Sequence, residues 1–267
     1  MIRLAIRMFL TGAALCTLFP STAMAQDAVS RPAISIIIDD IGYRHSGDQR
    51  ALDLPGPVAY AIMPHAPFAR IMSDLAAKNG KEVLVHLPME ADEARQNEFL
   101  GPGALMSGMG RDEFLRTLDL NLRSVPGAIG VNNHMGSLLT RRPAQMEWLM
   151  DSLRVHNKFY VDSMTSNQSI ASAVALLKDV PNLRRDVFLD NEHDAGDIQT
   201  QFDELINVAR RRGRALAIGH PHPETIAVLE NRLRELDAYG VTLVSLTQML
   251  AVHTAHTMPL AQSAWAH

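Results

Sequence analysis

The sequence predicts an α/β fold, a deformed (β/α) barrel of seven to eight parallel strands. Two observations predict it: eight short apolar segments alternate with amphipathic helical segments, and no break in composition divides residues 34–252. Strands that alternate with helices form parallel sheets with right-handed crossovers, and eight repeats in about 240 residues suit a barrel. A doubly wound open sheet is the alternative. Both folds place functional residues at the carboxyl ends of the strands.

The individual elements follow from local patterns of apolar residues. Short runs of β-branched and aliphatic residues predict strands at 34–38, 58–62, 82–86, 128–131, 159–161, 187–189, 215–218 and 241–244. Apolar residues at helical spacing predict helices at 68–78, 111–123, 143–156, 197–212 and 223–239. The connection at 90–110 is long, rich in glycine and without periodicity, and such a loop is expected to cover the site.

The N-terminal segment predicts export. Residues 1–25 resemble a signal peptide, with Arg3 and Arg7 before an apolar stretch that is too short to span a bilayer, and an Ala-Met-Ala cleavage signal at 23–25. Cys16, the only cysteine, lies in this segment, so the mature chain is expected to contain neither a disulfide nor a thiolate metal site. We therefore expect a periplasmic or secreted bacterial protein with no stable membrane anchor after cleavage.

The charge of the chain argues against one class of partner, and its terminal segments are predicted to lie outside the folded domain. The net charge of −4 and the lack of a long basic cluster argue against a nucleic-acid partner. Residues 26–33 are predicted to form a linker, and 253–267 a polar, disordered tail.

The first predicted strand ends in two adjacent acids, Asp39 and Asp40. Neighbouring carboxylates repel one another, and a desolvated carboxylate needs a partner. Because successive strand residues point to opposite faces, the two acids are expected to have different roles. One interpretation is a metal ligand beside an acid or base; the alternative is a helix N-cap beside a solvated loop acid.

Polar residues follow most of the other predicted strands as well. His86, His134 and His220 each come after an apolar run on a separate strand, so they are expected to converge with the two acids at one mouth of the barrel. His65 and His222 are weaker candidates. For each histidine, a hydrogen-bonded loop residue is the alternative.

This set of residues suits a metal-dependent hydrolase. Two imidazoles and one carboxylate, with an open position for water, form a catalytic zinc arrangement. A second carboxylate that does not bind the metal can take a proton from the water, and a histidine across the site can protonate the leaving group. The candidates for these roles are Asp39, Asp40, His86, His134 and His220.

Six blocks of the sequence resemble the divergent polysaccharide deacetylases, in order and over nearly the whole predicted mature chain. They are residues 36–42 (IIIDDIG), 85–90 (VHLPME), 130–137 (GVNNHMGS), 161–166 (VDSMTS), 185–191 (RDVFLDN) and 217–223 (AIGHPHP). The resemblance implies a barrel related to the polysaccharide deacetylases, which remove acetyl groups from sugars by using water that a metal ion activates. It also implies a glycan substrate and a divalent metal ion, for which zinc is the best-suited choice.

The resemblance implies roles for single residues. Asp39 would be the catalytic base, Asp40 and His86 metal ligands, and His220 the catalytic acid. The family's second ligand histidine, four residues after the first, is replaced here by Glu90. Either Glu90 or His134 would then complete the ligand set, and we favour His134.

Further residues near the strand ends are expected to contact the substrate. For Asp162 and Asp190, the alternative role is that one of them orients His220. The predicted substrate-contacting residues are Glu90, Asn133, Asp162, Asp190 and His222.

Two other functions compete with a deacetylase. The family's third motif carries an arginine and prolines, and residues 133–136 (NHMG) stand there instead. This change and the replacement of the second ligand histidine by Glu90 would also suit an inactive barrel that binds a glycan or an envelope partner. A phosphoester hydrolase ranks last, because only Arg141 and Arg142 offer a basic pair near a strand end.

Overall fold

The computed structural model describes residues 31–253, in which parallel strands curl into a deformed (β/α) barrel, as the sequence predicts. The predicted signal peptide, most of the linker and all but the first residue of the predicted tail lie outside these residues. Within the described part of the chain, no helix combines the length and apolar character that a membrane span requires.

Nine strands form one sheet in the described residues, and every pairing within it is parallel. In chain order they are β1 (Ala33–Ile41), β2 (Ala59–Ile62), β3 (Val83–Met89), β4 (Gly130–Met135), β5 (Phe159–Asp162), β6 (Asn182–Arg184), β7 (Val187–Phe188), β8 (Arg214–Gly219) and β9 (Thr242–Leu243). The spatial order is β6-β5-β4-β3-β2-β1-β8-β7, with β9 pairing to the start of β1. This near-sequential order excludes the doubly wound alternative, in which the order reverses at a switch point.

The two ends of the strand order meet around residues 185 and 186. Strands β6 and β7 lie at opposite ends of the order, yet only Arg185 and Asp186 separate them in sequence. The Arg185 amide donates to Asp162 O of β5, and the Asp186 amide donates to Leu216 O of β8. A two-residue link cannot join distant edges, because consecutive Cα atoms lie about 3.8 Å apart. The sheet must therefore curl back on itself.

Helices cover the outside of the barrel. They are α1 (His45–Leu52), α2 (Ala69–Lys78), α3 (Arg111–Ser124), α4 (Pro143–Val155), α5 (Ala171–Leu177), α6 (Ala195–Arg212), α7 (Pro223–Arg232) and α8 (Leu236–Tyr239), with short 3₁₀ helices at Gln96–Phe99 and Leu139–Arg141. Residues 246–253 are also helical.

Strand β1 contributes to two separate apolar clusters. Ile36 and Ile38 pack with helix residues such as Phe114, whereas Ile37 belongs to a cluster built largely from other strands, including Ala61. Because side chains alternate along a strand, Ile37 faces the barrel interior. Asp39, two residues further on, follows on the same side at the mouth of the barrel.

The structure contains short elements that the sequence does not predict, and it divides one predicted helix in two. Helices α1 and α5 and strand β6 were not predicted, because they are short and lack a clear apolar period. The single helix predicted at 223–239 is wrong: it divides into α7 and α8. After Arg232 the backbone bonds tighten to three-residue spacing, and the Arg232 guanidinium packs on the rings of Phe202 and Tyr239.

Candidate metal centre

A β-bulge at the end of β1 brings the carboxylates of Asp39 and Asp40 close to the same histidine, His86. The register with β2 shifts between Ile38 and Ile41, and Asp40 adopts a left-handed conformation with φ of 57°. As a result His86 Nε2 lies 3.6 Å from Asp39 Oδ2 and 3.1 Å from Asp40 Oδ1. The expectation that the two acids face opposite sides is therefore wrong, because a bulge interrupts strand alternation.

Asp40, His86 and His134 form a tight triangle of possible ligand atoms. Asp40 Oδ1 lies 3.1 Å from His86 Nε2 and 3.1 Å from His134 Nδ1, and the two nitrogens are 3.1 Å apart. Asp40 Oδ1 is buried and has no hydrogen-bond partner. Three atoms that carry lone pairs repel one another at this distance, so a cation must lie among them, either a proton or a metal ion.

The triangle fits a divalent metal ion. Three ligands about 2.0–2.1 Å from a common ion, and about 100° apart around it, would lie about 3.1 Å from one another. Two imidazole nitrogens and one carboxylate oxygen also form the donor set of catalytic zinc sites. The unpartnered Asp40 Oδ1 is the atom that such an ion would satisfy.

Asn132 connects Asp39 to His86. Its Nδ2 donates to Asp39 Oδ1 over 2.8 Å, and its Oδ1 lies 2.9 Å from His86 Nδ1. All three side chains are buried. The sequence does not identify Asn132 as a functional residue, because its bonds cross to two other strands and depend on the register of the sheet.

Burial and the neighbouring histidines shift the pKa values of Asp39 and Asp40 in opposite directions. Burial raises the pKa of Asp39, although His86 and His220 oppose the rise. Burial also works against ionisation of Asp40, but the close approach of His134 and His86 outweighs burial and holds the pKa of Asp40 well below its ordinary value. Asp39 is thus the more basic of the two carboxylates.

His220 lies across the site with its own buried carboxylate partner. Asp190 Oδ1 accepts from His220 Nδ1 over 3.0 Å, while Asp190 Oδ2 accepts from the His220 amide and the Thr225 hydroxyl. His220 Nε2 lies 3.9 Å from Asp40 Oδ2. Burial disfavours the imidazolium, but the bond to Asp190 and the charge of Asp40 outweigh it and raise the pKa of His220 to about 9. Without a metal ion in the triangle, these contacts therefore favour the imidazolium form of His220.

Glu90 lies outside the triangle. Its Oε2 accepts from the Ser107 amide over 2.5 Å, which holds the loop after β3. Glu90 also does not line the cleft at the mouth of the barrel. Of the two candidates for the third ligand position, the geometry favours His134.

The other predicted contact residues have structural partners. The Asn133 amide donates to Met135 O and accepts from Tyr160 and the Ser163 amide. Asp162 accepts from the Met164 amide and the Ser169 hydroxyl, so it stabilises the turn after β5.

Two further histidines lie away from the triangle. The His222 ring packs against His193, with 4.0 Å between centroids, and it does not line the cleft. His65 Nε2 is 3.0 Å from Asn121 Oδ1, and His65 also lies outside the cleft lining.

A cleft of about 980 Å³ opens over the triangle. The loop predicted to cover the site contributes Asp92, Glu93 and Gln96 to its wall, and loop residues 163–168 form another part. The Phe188 ring also lines the cleft, with the Arg185 guanidinium 4.8 Å from its centroid. Arg185 was not singled out as a site residue from the sequence.

Comparison with known proteins agrees with this architecture. The sequence model of the family described as "Divergent polysaccharide deacetylase" matches residues 36–250. A Haemophilus influenzae protein described as uncharacterized is 37% identical over 218 residues, which cover 82% of this chain and 77% of that protein. The Escherichia coli protein YibQ, also described as uncharacterized, is 37% identical over 227 residues, or 84% of this chain and 70% of YibQ.

A solved structure shares the fold. The crystal structure of the uncharacterized protein ATU2773 from Agrobacterium tumefaciens superimposes with a TM-score of 0.79 and 23% sequence identity. The alignment covers 84% of this chain and 92% of that one.

Proposed function

We propose that this chain, which belongs to the divergent polysaccharide deacetylase family, is an exported metal-dependent hydrolase that removes acetyl groups from a cell-envelope or exported glycan. The observation that carries the proposal is the triangle of Asp40, His86 and His134, whose ligand atoms are 3.1 Å apart. This triangle lies under an open cleft, where a substrate has access to it.

The triangle would hold a divalent ion, with zinc best matched to two nitrogens and one oxygen. When bound, such an ion polarises a carbonyl and lowers the pKa of water toward neutrality. The chain supplies the groups that move protons. These groups are Asp39 and His220, which both line the cleft.

Asp39 would accept a proton from the attacking water. Its raised pKa makes it a better base than an ordinary carboxylate, and Asn132 fixes its position. His220 would then donate its Nε2 proton to the nitrogen or oxygen that leaves as the bond to the acetyl group breaks. The Asp190 carboxylate on Nδ1 keeps the Nε2 side of the ring toward the cleft. The products would be acetate and the free amine or hydroxyl of the sugar.

The place of action follows from the N-terminal pattern. Residues 1–25 would direct export and be removed, which places the mature protein in the periplasm or outside a bacterial cell. Envelope and exported glycans are the acetylated polymers that an enzyme meets there.

One observation favours a second candidate, an inactive barrel that binds glycans. Glu90 stands where the family resemblance implies a second ligand histidine, and its carboxylate is engaged by the Ser107 amide. Such a module would bind sugar in the presence of a chelator and release no acetate.

Acetate release distinguishes the two functions. We expect the zinc-loaded protein to release acetate from N-acetylated chitooligosaccharides or peptidoglycan fragments, and a chelator to abolish this release. Asp39→Asn is expected to retain zinc and lose about 100-fold or more in kcat, the usual contribution of a general base. Sugar binding without acetate release, unchanged by chelator, would refute the hydrolase and support the binding module.

A further inference from the structure

The buried side-chain amide of Asn132 contacts two functional groups, the Asp39 carboxylate and the His86 imidazole. It lies on β4 and reaches His86 on the neighbouring strand β3 and Asp39 on β1, with Asp39 Oδ1 2.8 Å from its Nδ2 and His86 Nδ1 2.9 Å from its Oδ1. Its Nδ2 also lies 3.3 Å from the Ser163 hydroxyl. Asn132 itself is fully buried, so no solvent competes for these bonds.

The orientation of the amide follows from its partners. Asn132 Nδ2 donates to Asp39 Oδ1, so the NH₂ group of Asn132 faces the carboxylate. The opposite orientation would place the amide oxygen against the carboxylate, with two acceptors in contact. The Asn132 carbonyl oxygen therefore faces His86, and His86 Nδ1 must carry the hydrogen that it accepts.

This assignment determines which nitrogen of His86 is free. A neutral imidazole has one N–H and one lone pair, so a hydrogen on Nδ1 leaves the lone pair on Nε2. Nε2 is the atom that lies 3.1 Å from both Asp40 Oδ1 and His134 Nδ1. The tautomer that Asn132 selects is thus the one that can bind a metal ion in the triangle.

We propose that Asn132 is a positioning residue that couples the two halves of the site: its NH₂ group holds Asp39 in place, and its carbonyl oxygen fixes the His86 tautomer that binds metal. The Asp39 half rests on the proposed function. The His86 half concerns metal affinity alone and can be measured without turnover. The adjacent Asn133 has a different role, because its amide bonds to Met135, Tyr160 and Ser163.

Two substitutions of Asn132 test its contact with Asp39 and its contact with His86 separately. Asn132→Asp keeps an acceptor for His86 Nδ1 but replaces the donor to Asp39 by a second carboxylate. We expect its zinc Kd to stay within about threefold of the wild type, while kcat for acetate release falls about 100-fold. Asn132→Leu has a similar size and offers neither group. We expect its zinc Kd to weaken about 10- to 100-fold, the usual loss when the outer partner of a metal-binding histidine is removed.

Competition with a fluorescent chelator measures zinc affinity, and thermal unfolding shows that each variant is folded. Asn121 gives the matched control, since it is a fully buried amide that bonds to His65 and Gly103 and does not line the cleft. Asn121→Asp and Asn121→Leu are expected to retain the zinc Kd of the wild type. If Asn132→Leu does not fold, Asn132→Asp decides alone through its retained zinc and lost kcat.

The inference is overturned if Asn132→Asp and Asn132→Leu weaken zinc binding equally, or if neither changes zinc binding or kcat. A wild-type protein that binds zinc but hydrolyses nothing contradicts the proposed function, and the difference in zinc Kd between the two variants still tests the His86 half. A wild type that binds no zinc overturns both.

Discussion

Replacing Asp190 by Asn is expected to lower the pKa of His220 by more than about one pH unit in the metal-free protein. Burial alone would push this pKa below the ordinary value of 6.5, yet the hydrogen bond that His220 donates to Asp190 and the charges of Asp40 and Asp39 raise it to about 9. The rise of roughly 2.5 pH units corresponds to about 3 kcal/mol in favour of the imidazolium. The hydrogen bond to Asp190 is the largest favourable contribution.

The raised pKa of His220 makes the free energy of unfolding depend on pH. The pKa of His220 is raised in the folded protein, so its stabilising contribution is fully present below pH 6.5 and is lost as pH rises through about 9. Chemical denaturation between pH 6 and pH 9.5 is expected to show a steeper loss of unfolding free energy for the wild type than for Asp190→Asn.

The assay is an NMR titration of histidine Cε1–H signals in chelator-treated protein, with His220→Gln identifying the signal. Thr225→Val is the control, because it removes another hydrogen bond to Asp190 without touching the His220 ring. A wild-type pKa near 6.5, or the same pKa in Asp190→Asn, would show that Asp190 does not raise the pKa of His220.

Two further predictions concern the loop after β3. Glu90→Gln is expected to bind zinc as the wild type does, because the Glu90 carboxylate accepts from the Ser107 amide and lies outside the triangle; a zinc Kd weakened more than about tenfold would instead make Glu90 a ligand. Gly103→Ala is expected to destabilise the fold by about 2 kcal/mol or more, since Gly103 has φ of 80° and a Cβ there would lie 2.1 Å from Asn121 Oδ1. Gly108→Ala, with no atom within 4 Å of its Cβ, serves as the control in chemical denaturation, and equal loss in both variants would contradict the argument.

The sequence was sufficient to predict the barrel because its strands are buried on both faces. Every one of the eight predicted strands overlaps an observed one, since continuous apolar runs such as that in β1 stand out from helical patterns. Strand β6 was not predicted because its three residues include Asn182 and Arg184 beside a single leucine. Its place in the sheet depends on pairing with β5, which local sequence does not encode.

The residues of the candidate site were easier to predict than their contacts. The strand ends alone grouped Asp40, His86 and His134 with Asp39 and His220, and the family resemblance implied the three ligands. The structure brings the atoms of those three residues within 3.1 Å of one another; their roles stay predictions. The bulge at Asp40 and the two bonds of Asn132 were missed, because both arise from the register between strands.

Metal content is the measurement that bears first on the proposed site, because the proposed function depends on an ion held by Asp40, His86 and His134. We would measure divalent ions by elemental analysis in the purified mature protein and in His86→Ala and His134→Ala, with folding checked by circular dichroism. We expect about one zinc-like ion per chain in the wild type and its loss in both variants. A wild type without metal, or metal retained in both variants, would contradict the proposed centre.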